Sequence, residues 1–154
     1  MLLLLTAANG SPVLGQLLLG AHGDQPIDGG RLWRDGERLL GDSKTWRGLI
    51  IGVVATTIVS LLLDLGGKFG ALFGFLALTG DMISSFIKRR RHLRSSAQAI
   101  GLDQLPEAIL PVVFGAFWLD YGWEVTVVTV LLFMLADMVF SPLLYRLGIR
   151  RRPY

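Results

Sequence analysis

Long apolar runs alternate with short polar stretches along this chain, and the runs have membrane length. A spanning helix takes about 20 mostly apolar residues, within a range of roughly 17–25. Five segments approach that length: Leu2–Ala21, Leu49–Leu65, Phe69–Ile87, Pro106–Leu119 and Val125–Leu144. The pattern predicts an all-α polytopic membrane protein with five transmembrane helices, forming a single domain over residues 1–154. Asn9, Gly10 and Pro12 interrupt the first run, and no basic residue precedes it. It therefore reads as a broken membrane segment, not as a secretory signal. Gly66, Gly67 and Gly70 predict a tight turn between the second and third spans, and Asp120-Tyr121-Gly122-Trp123 another between the fourth and fifth. Gly66, Gly70 and Gly74 also have the small-xxx-small spacing that lets helices pack closely. Trp118, Tyr121 and Trp123 suit an aromatic belt.

Composition strengthens this picture. Of 154 residues, 52% are hydrophobic and 18% charged, and the mean hydropathy is +0.54. A small soluble globule has too much surface to hide so much apolar side chain. With no cysteine, disulfides, thiolate metal sites and cysteine nucleophiles are excluded. His22 and His92 lack ligand spacing, which argues against zinc.

The formal charge is +3, and its placement says more than its size. Arg31, Arg34, Arg38, Lys44 and Arg47 fall between the first two spans. Lys88, Arg89, Arg90, Arg91 and Arg94 fall between the third and fourth, and Arg146, Arg150, Arg151 and Arg152 in the tail. Five alternating spans put 14 of the 15 basic residues on one side, Lys68 being the exception. The positive-inside rule makes that side cytoplasmic. The expectation is a multi-pass protein of the cell (inner) membrane, N-terminus outside and C-terminus cytoplasmic, with two polar cytoplasmic loops. The arginine-rich tail reads as a stop signal resting on anionic lipid. The cations answer to the bilayer, so no nucleic-acid partner is expected.

Three polar constellations face that side. The first is PIDGGRLWRDGERLLGDSKTWRG, residues 26–48. Gly36 and Gly41 have the spacing of a P-loop, but Asp42 sits where lysine belongs, so it is not a Walker motif. Glycine amides with Lys44, Arg31, Arg34 and Arg47 suit a polyphosphate, and Asp28 and Asp42 suit a metal or a ribose. A solvated loop explains the same residues equally well. The second is GDMISSFIKRRR, residues 80–91. Asp81, Ser84, Ser85 and Lys88 share one helix face. An ionisable residue two turns inside a membrane helix is costly and usually functional. The third is LDQLPEAILP, residues 102–111. Asp103 and Glu107 around Pro106 read as capping and first-turn residues of a helix. Beside Asp81 they also offer the oxygen ligands that Mg²⁺ prefers. Asp137, inside the fifth span, suits either a proton relay or a packing hydrogen bond.

PIDGG, LLGDSKTWRG, GDMISSFIKRR and LDQLPE, in that order between five spans, resemble the CDP-archaeol synthase family across nearly the whole chain. The compact sequence and its RRRPY ending look like bacterial relatives of that family. The resemblance implies a membrane nucleotidyltransferase of phospholipid biosynthesis. It would use CTP and Mg²⁺ to place CMP on a lipid phosphate, such as an isoprenoid-ether glycerol phosphate, releasing pyrophosphate. It also implies the site. Asp28, Gly29 and Gly30 match the first glycine loop; Gly41, Asp42, Lys44 and Thr45 match the second. Asp81, Ser85, Lys88 and Arg89 match the helix-end motif, and Asp103, Gln104 and Glu107 the acidic motif. Ser43 stands where glycine is expected, and residues 92–99 lack the expected glycine. The first span is short and begins at Met1, as in a trimmed chain.

On this reading Asp81, Lys88 and Asp103 carry the chemistry. Asp81 and Asp103 hold Mg²⁺, with Glu107 or Asp28 assisting. Lys44, Lys88 and Arg89 neutralise the triphosphate, and glycine amides approach the nucleotide. The lipid tails enter sideways between the third and fourth spans. The alternative is a small transporter or proton-translocating bundle, which predicts polar residues strung along several spans near the midplane. Here they concentrate in the two long loops.

Overall fold

The computed structural model describes residues 1–20, 22–93, 99, 101–146 and 148. Five helices follow in order: α1 (Leu2–Leu19), α2 (Trp46–Leu62), α3 (Gly67–Arg90), α4 (Leu105–Leu119) and α5 (Trp123–Arg146). Helices α1, α3 and α5 are long and apolar enough to cross a membrane; α2 and α4 are apolar but shorter, at 17 and 15 residues. No strand occurs among the described residues, only two isolated β-bridges. The arginine-rich end of the tail, Arg150 to Arg152, lies outside the described residues, as does Arg94 with most of its loop.

Consecutive helices run antiparallel, so one end of the bundle carries both long loops and the other carries two short turns. At the turn end, the Ser60 hydroxyl donates to the Gly66 carbonyl, and Gly66 takes a φ of 87° that glycine tolerates. Phe69, Phe114 and Trp118 cluster there. The buried core runs from that end through the middle of the bundle: Leu4, Leu5 and Ala8 of α1, Phe69, Phe73 and Ala77 of α3, Ala108 and Val112 of α4, and Val130 and Phe133 of α5.

Small residues set the seams. Gly70 rests against Ser60, and Gly74 against Thr56, so the expected small-residue spacing on α3 packs α2. Gly80 lies directly on the backbone of Pro106 and Glu107, which presses α3 and α4 together near the loop end.

The loop from residue 22 to 45 is folded, not merely solvated. Ile27 donates to the Lys44 carbonyl and Trp46 to the Gln25 carbonyl, closing the loop at its base. A small hairpin spans residues 31–39, with Trp33 and Leu39 bonded across to Glu37 and Arg31. Arg90, at the end of α3, pins this hairpin. It pairs with Asp35 at 2.7 Å, donates to the Arg38 carbonyl, and lies over the rings of Trp33 and Phe86.

Candidate active site

The loop end encloses one cavity of about 520 Å³. Each sequence constellation sends side chains to it. The last turns of α3 present Asp81, Ser85 and Lys88, because residues four and seven apart share a helix face. Ser84, expected on that face, instead donates to the Gly80 carbonyl and is buried. The first long loop supplies Asp42, Lys44 and Thr45; the acidic motif supplies Asp103, Gln104 and Glu107. Thr45 also caps α2, its hydroxyl accepting from the Gly48 amide.

Charges inside the cavity are paired across elements. Lys44 Nζ lies 2.5 Å from Asp81 Oδ2, and Lys88 Nζ lies 2.8 Å from Asp103 Oδ1. Each pair joins residues from different parts of the chain, and all four side chains are mostly screened from solvent. Asp103 does not cap α4. Its second oxygen accepts from the Ala99 amide, and Gln104 is the residue flanking the helix, without a capping hydrogen bond. The competing partner, Lys88, draws the carboxylate toward the cavity.

Asp137 sits on the α5 side of the same cavity. It accepts from Gln104 Nε2 at 3.0 Å and from the Ser141 hydroxyl at 2.7 Å. The Gln104 carbonyl oxygen in turn accepts from the Gly101 amide. Asp137 thus ties α5 to the acidic motif.

Other candidate residues stand apart. Asp28 does not line the main cavity; with Gly29 it borders a separate surface depression. Its carboxylate, 1% exposed, pairs with Arg38 at 2.6 Å and accepts amide hydrogens from Gly30, Leu40 and Gly41. The sequence reading had these glycine amides meet an outside phosphate. The anion that Gly30 and Gly41 meet is Asp28 itself. Burial alone raises this carboxyl's pKa, but Arg38 and the three amides outweigh burial and hold it well below the usual carboxylate range. Asp28 organises the loop that delivers Asp42, Lys44 and Thr45. Arg89, next to Lys88, does not line the cavity; it is buried, and its Nε has no hydrogen-bond partner among the described residues.

Sequence reasoning missed the α1 wall. Asn9, Pro12, Val13 and Gln16 line the cavity. Their signal was present in the sequence as polar and proline interruptions of the first apolar run.

The donors suit a hard cation. Asp81, Asp103 and Glu107 offer only oxygen and come from two elements around one cavity. No three acidic or histidine side chains among the described residues form a ready metal cage. Mg²⁺ rarely uses one: it commonly takes one or two carboxylates and completes its shell with water and substrate phosphate.

Comparison with known proteins agrees with the fold and with the family that the motifs resemble. A family model described as CarS-like, CDP-archaeol synthase, matches residues 3–70 and 65–154. The CDP-archaeol synthase of Thermococcus kodakarensis is 48% identical over 118 residues, covering 70% of this chain and 66% of that protein. The chain thus spans about two thirds of the length of that relative. The CDP-archaeol synthase of Halorubrum lacusprofundi is 34% identical over 160 residues, covering 87% of this chain and 86% of that protein. A solved structure, described as an intramembrane enzyme for archaeal membrane lipids biosynthesis, superposes with a TM-score of 0.70. It shares 29% identity and covers 90% of each chain. Five apolar helices, four motifs in order and a family model spanning nearly every residue lead to one conclusion: this chain belongs to the CDP-archaeol synthase family.

Proposed function

We propose that the protein is a CTP-dependent cytidylyltransferase that places CMP on a membrane lipid phosphate. A phosphate monoester has a second pKa near about 6 and is largely a dianion at neutral pH, so its oxygen attacks without a general base. A bond forms between that oxygen and the α-phosphorus of CTP. The bond from the α-phosphorus to the bridging oxygen breaks, and pyrophosphate leaves with the electron pair. Catalysis of this kind rests on positioning and charge neutralisation. The observation that carries the reading is the convergence of Lys44, Lys88, Asp81 and Asp103, from three stretches of chain, in one cavity at the loop end.

Lys44 and Lys88 neutralise phosphate oxygens and the departing pyrophosphate. Asp81 and Asp103, with Glu107, would hold Mg²⁺, which when bound supplies further charge neutralisation. Arg89 brings a buried guanidinium beside Lys88, and an unpartnered buried donor of that kind favours an anion nearby. Ser85, Thr45 and Gln104 offer neutral hydrogen bonds to the nucleotide. Asp28, Gly29, Gly30 and Gly41 act through the shape of the loop. The loop end faces the cytoplasm, where CTP is found.

The test uses membrane vesicles with labelled CTP, Mg²⁺ and a panel of lipid phosphates. Inverted vesicles, which expose the cytoplasmic face, should form CDP-lipid, and sealed right-side-out vesicles should not. Asp81→Asn and Asp103→Asn should each lower turnover by at least about a hundredfold, roughly 2.7 kcal/mol in the barrier. Near-normal turnover in either variant would remove that residue from the site.

A further inference from the structure

Helices α1 and α5 run side by side in the same direction, and they do not stay together. Toward the turn end, Leu4, Leu5 and Ala8 of α1 join Val130 and Phe133 of α5 in one buried core. Further along, toward the loop end, the two helices face a cavity instead of each other. Pro12, Val13 and Gln16 form one wall, and Met138, Ser141 and Pro142 the other. Leu78 and Met82 of α3 also line it, Leu78 one turn before Asp81 and Met82 directly after it.

Neighbouring helices touch closely near the cavity. A side chain at Gly80 would overlap the Pro106 carbonyl, where α3 meets α4. Gly15 lies against Ile51 and Gly52 against the Ala8 carbonyl, where α1 meets α2. The Gln104–Asp137 hydrogen bond joins α4 to α5.

The cavity therefore has two chemistries. Its loop end is charged by Lys44, Lys88, Asp81 and Asp103. Its wall deeper in the bundle is mixed: Pro12, Val13, Leu78, Met138 and Pro142 are apolar, and Asn9, Gln16, Asp137 and Ser141 stand among them. A nucleotide is polar along its whole length and matches only the first part. An amphiphile with an anionic head matches both.

The geometry points to the cleft between α1 and α5 as the seat of the lipid acceptor: its phosphate reaches Lys44 and Lys88, and its chain leaves sideways into the bilayer between the two helices. This inference rests on the cytidylyl-transfer reading and adds the acceptor's binding site to it.

Two measurements on the full chain in nanodiscs test it. The first is steady-state kinetics of Val13→Trp and Met138→Trp, which narrow the cleft. The KM for a long-chain lipid phosphate should rise about tenfold, equivalent to about 1.4 kcal/mol, with the KM for CTP little changed. Leu131→Trp, on an exposed face of α5, should match the wild type. The second uses a lipid phosphate with a diazirine in its chain, photolysed with the wild-type protein. The label should land on α1 and α5 around Val13 and Met138. An unchanged acceptor KM in both tryptophan variants overturns the inference. So does labelling confined to the outer face of α4, at Ile109 and Val113. Photolabelling needs no turnover. If the wild type forms no CDP-lipid, the cytidylyl-transfer reading falls, while the label still reports whether an anionic lipid occupies the cleft.

Discussion

Asp28 accepts five hydrogen bonds on two oxygens, two from Arg38 and one each from the amides of Gly30, Leu40 and Gly41. Its lowered pKa gives the sign of its contribution. A carboxylate whose folded pKa is depressed stabilises the fold above the ordinary carboxylate range, and that stability is lost as pH falls through the folded value. The loop should therefore keep its order through mild acid in the wild type. Asp28→Asn should cost it on the order of 2 kcal/mol at neutral pH. Hydrogen exchange of the amides from 26 to 45 reads both effects: faster exchange in the variant, and a loss of the acid dependence that the wild type shows at low pH. Equal protection in the two proteins would mean that Asp28 is not the hub. In the sequence, Asp28 suited a metal or a ribose and matched a glycine loop of the family. The structure pairs it with Arg38, which lies ten residues away and returns only because the chain reverses around Gly36. Local spacing shows the residue types but not that return.

At the scale of helices, hydropathy located all five elements, and the ends shifted for physical reasons. α3 continues through Arg90 instead of ending near Ile87, since Lys88 and Arg89 find cover inside the protein and Arg90 finds the hairpin. α2 begins at Trp46 because Thr45 caps it. The spacing of Gly70 and Gly74 was legible as a packing face, but Gly80 was not singled out, although it makes the tightest seam. Gly80→Ala would drive a methyl into the Pro106 backbone, which cannot swing aside as a flexible side chain does. Thermal melting in detergent should show a loss of about 1–3 kcal/mol, with weaker coupling between Lys88 and Asp103. Gly10→Ala, with no atom within 4 Å, should melt at or slightly above the wild-type temperature. Equal melting of the two variants would mean that α3 and α4 are not held by this contact.

Across the whole molecule, the sequence showed that the basic residues of both long loops gather at one end of the bundle, and that these loops carry the candidate motifs. It did not show the α1 wall or the splay between α1 and α5, because both depend on how distant helices meet. Nor did it show that two lysines and two aspartates of the cavity would already be paired. Lys44 with Asp81 and Lys88 with Asp103 form two ion pairs there. A divalent ion arriving alone must win carboxylates from ammonium groups and then face them; a triphosphate arriving alone must win the ammonium groups and face bare carboxylates. Together, the two visitors can trade partners with both pairs at once and strand no charge. On the proposed reaction, the two pairs would make the site a coincidence detector for nucleotide and cation. Calorimetry should show weak binding of either alone and strong mutual enhancement, with Asp81→Asn the variant that lets metal-free CTP in more readily.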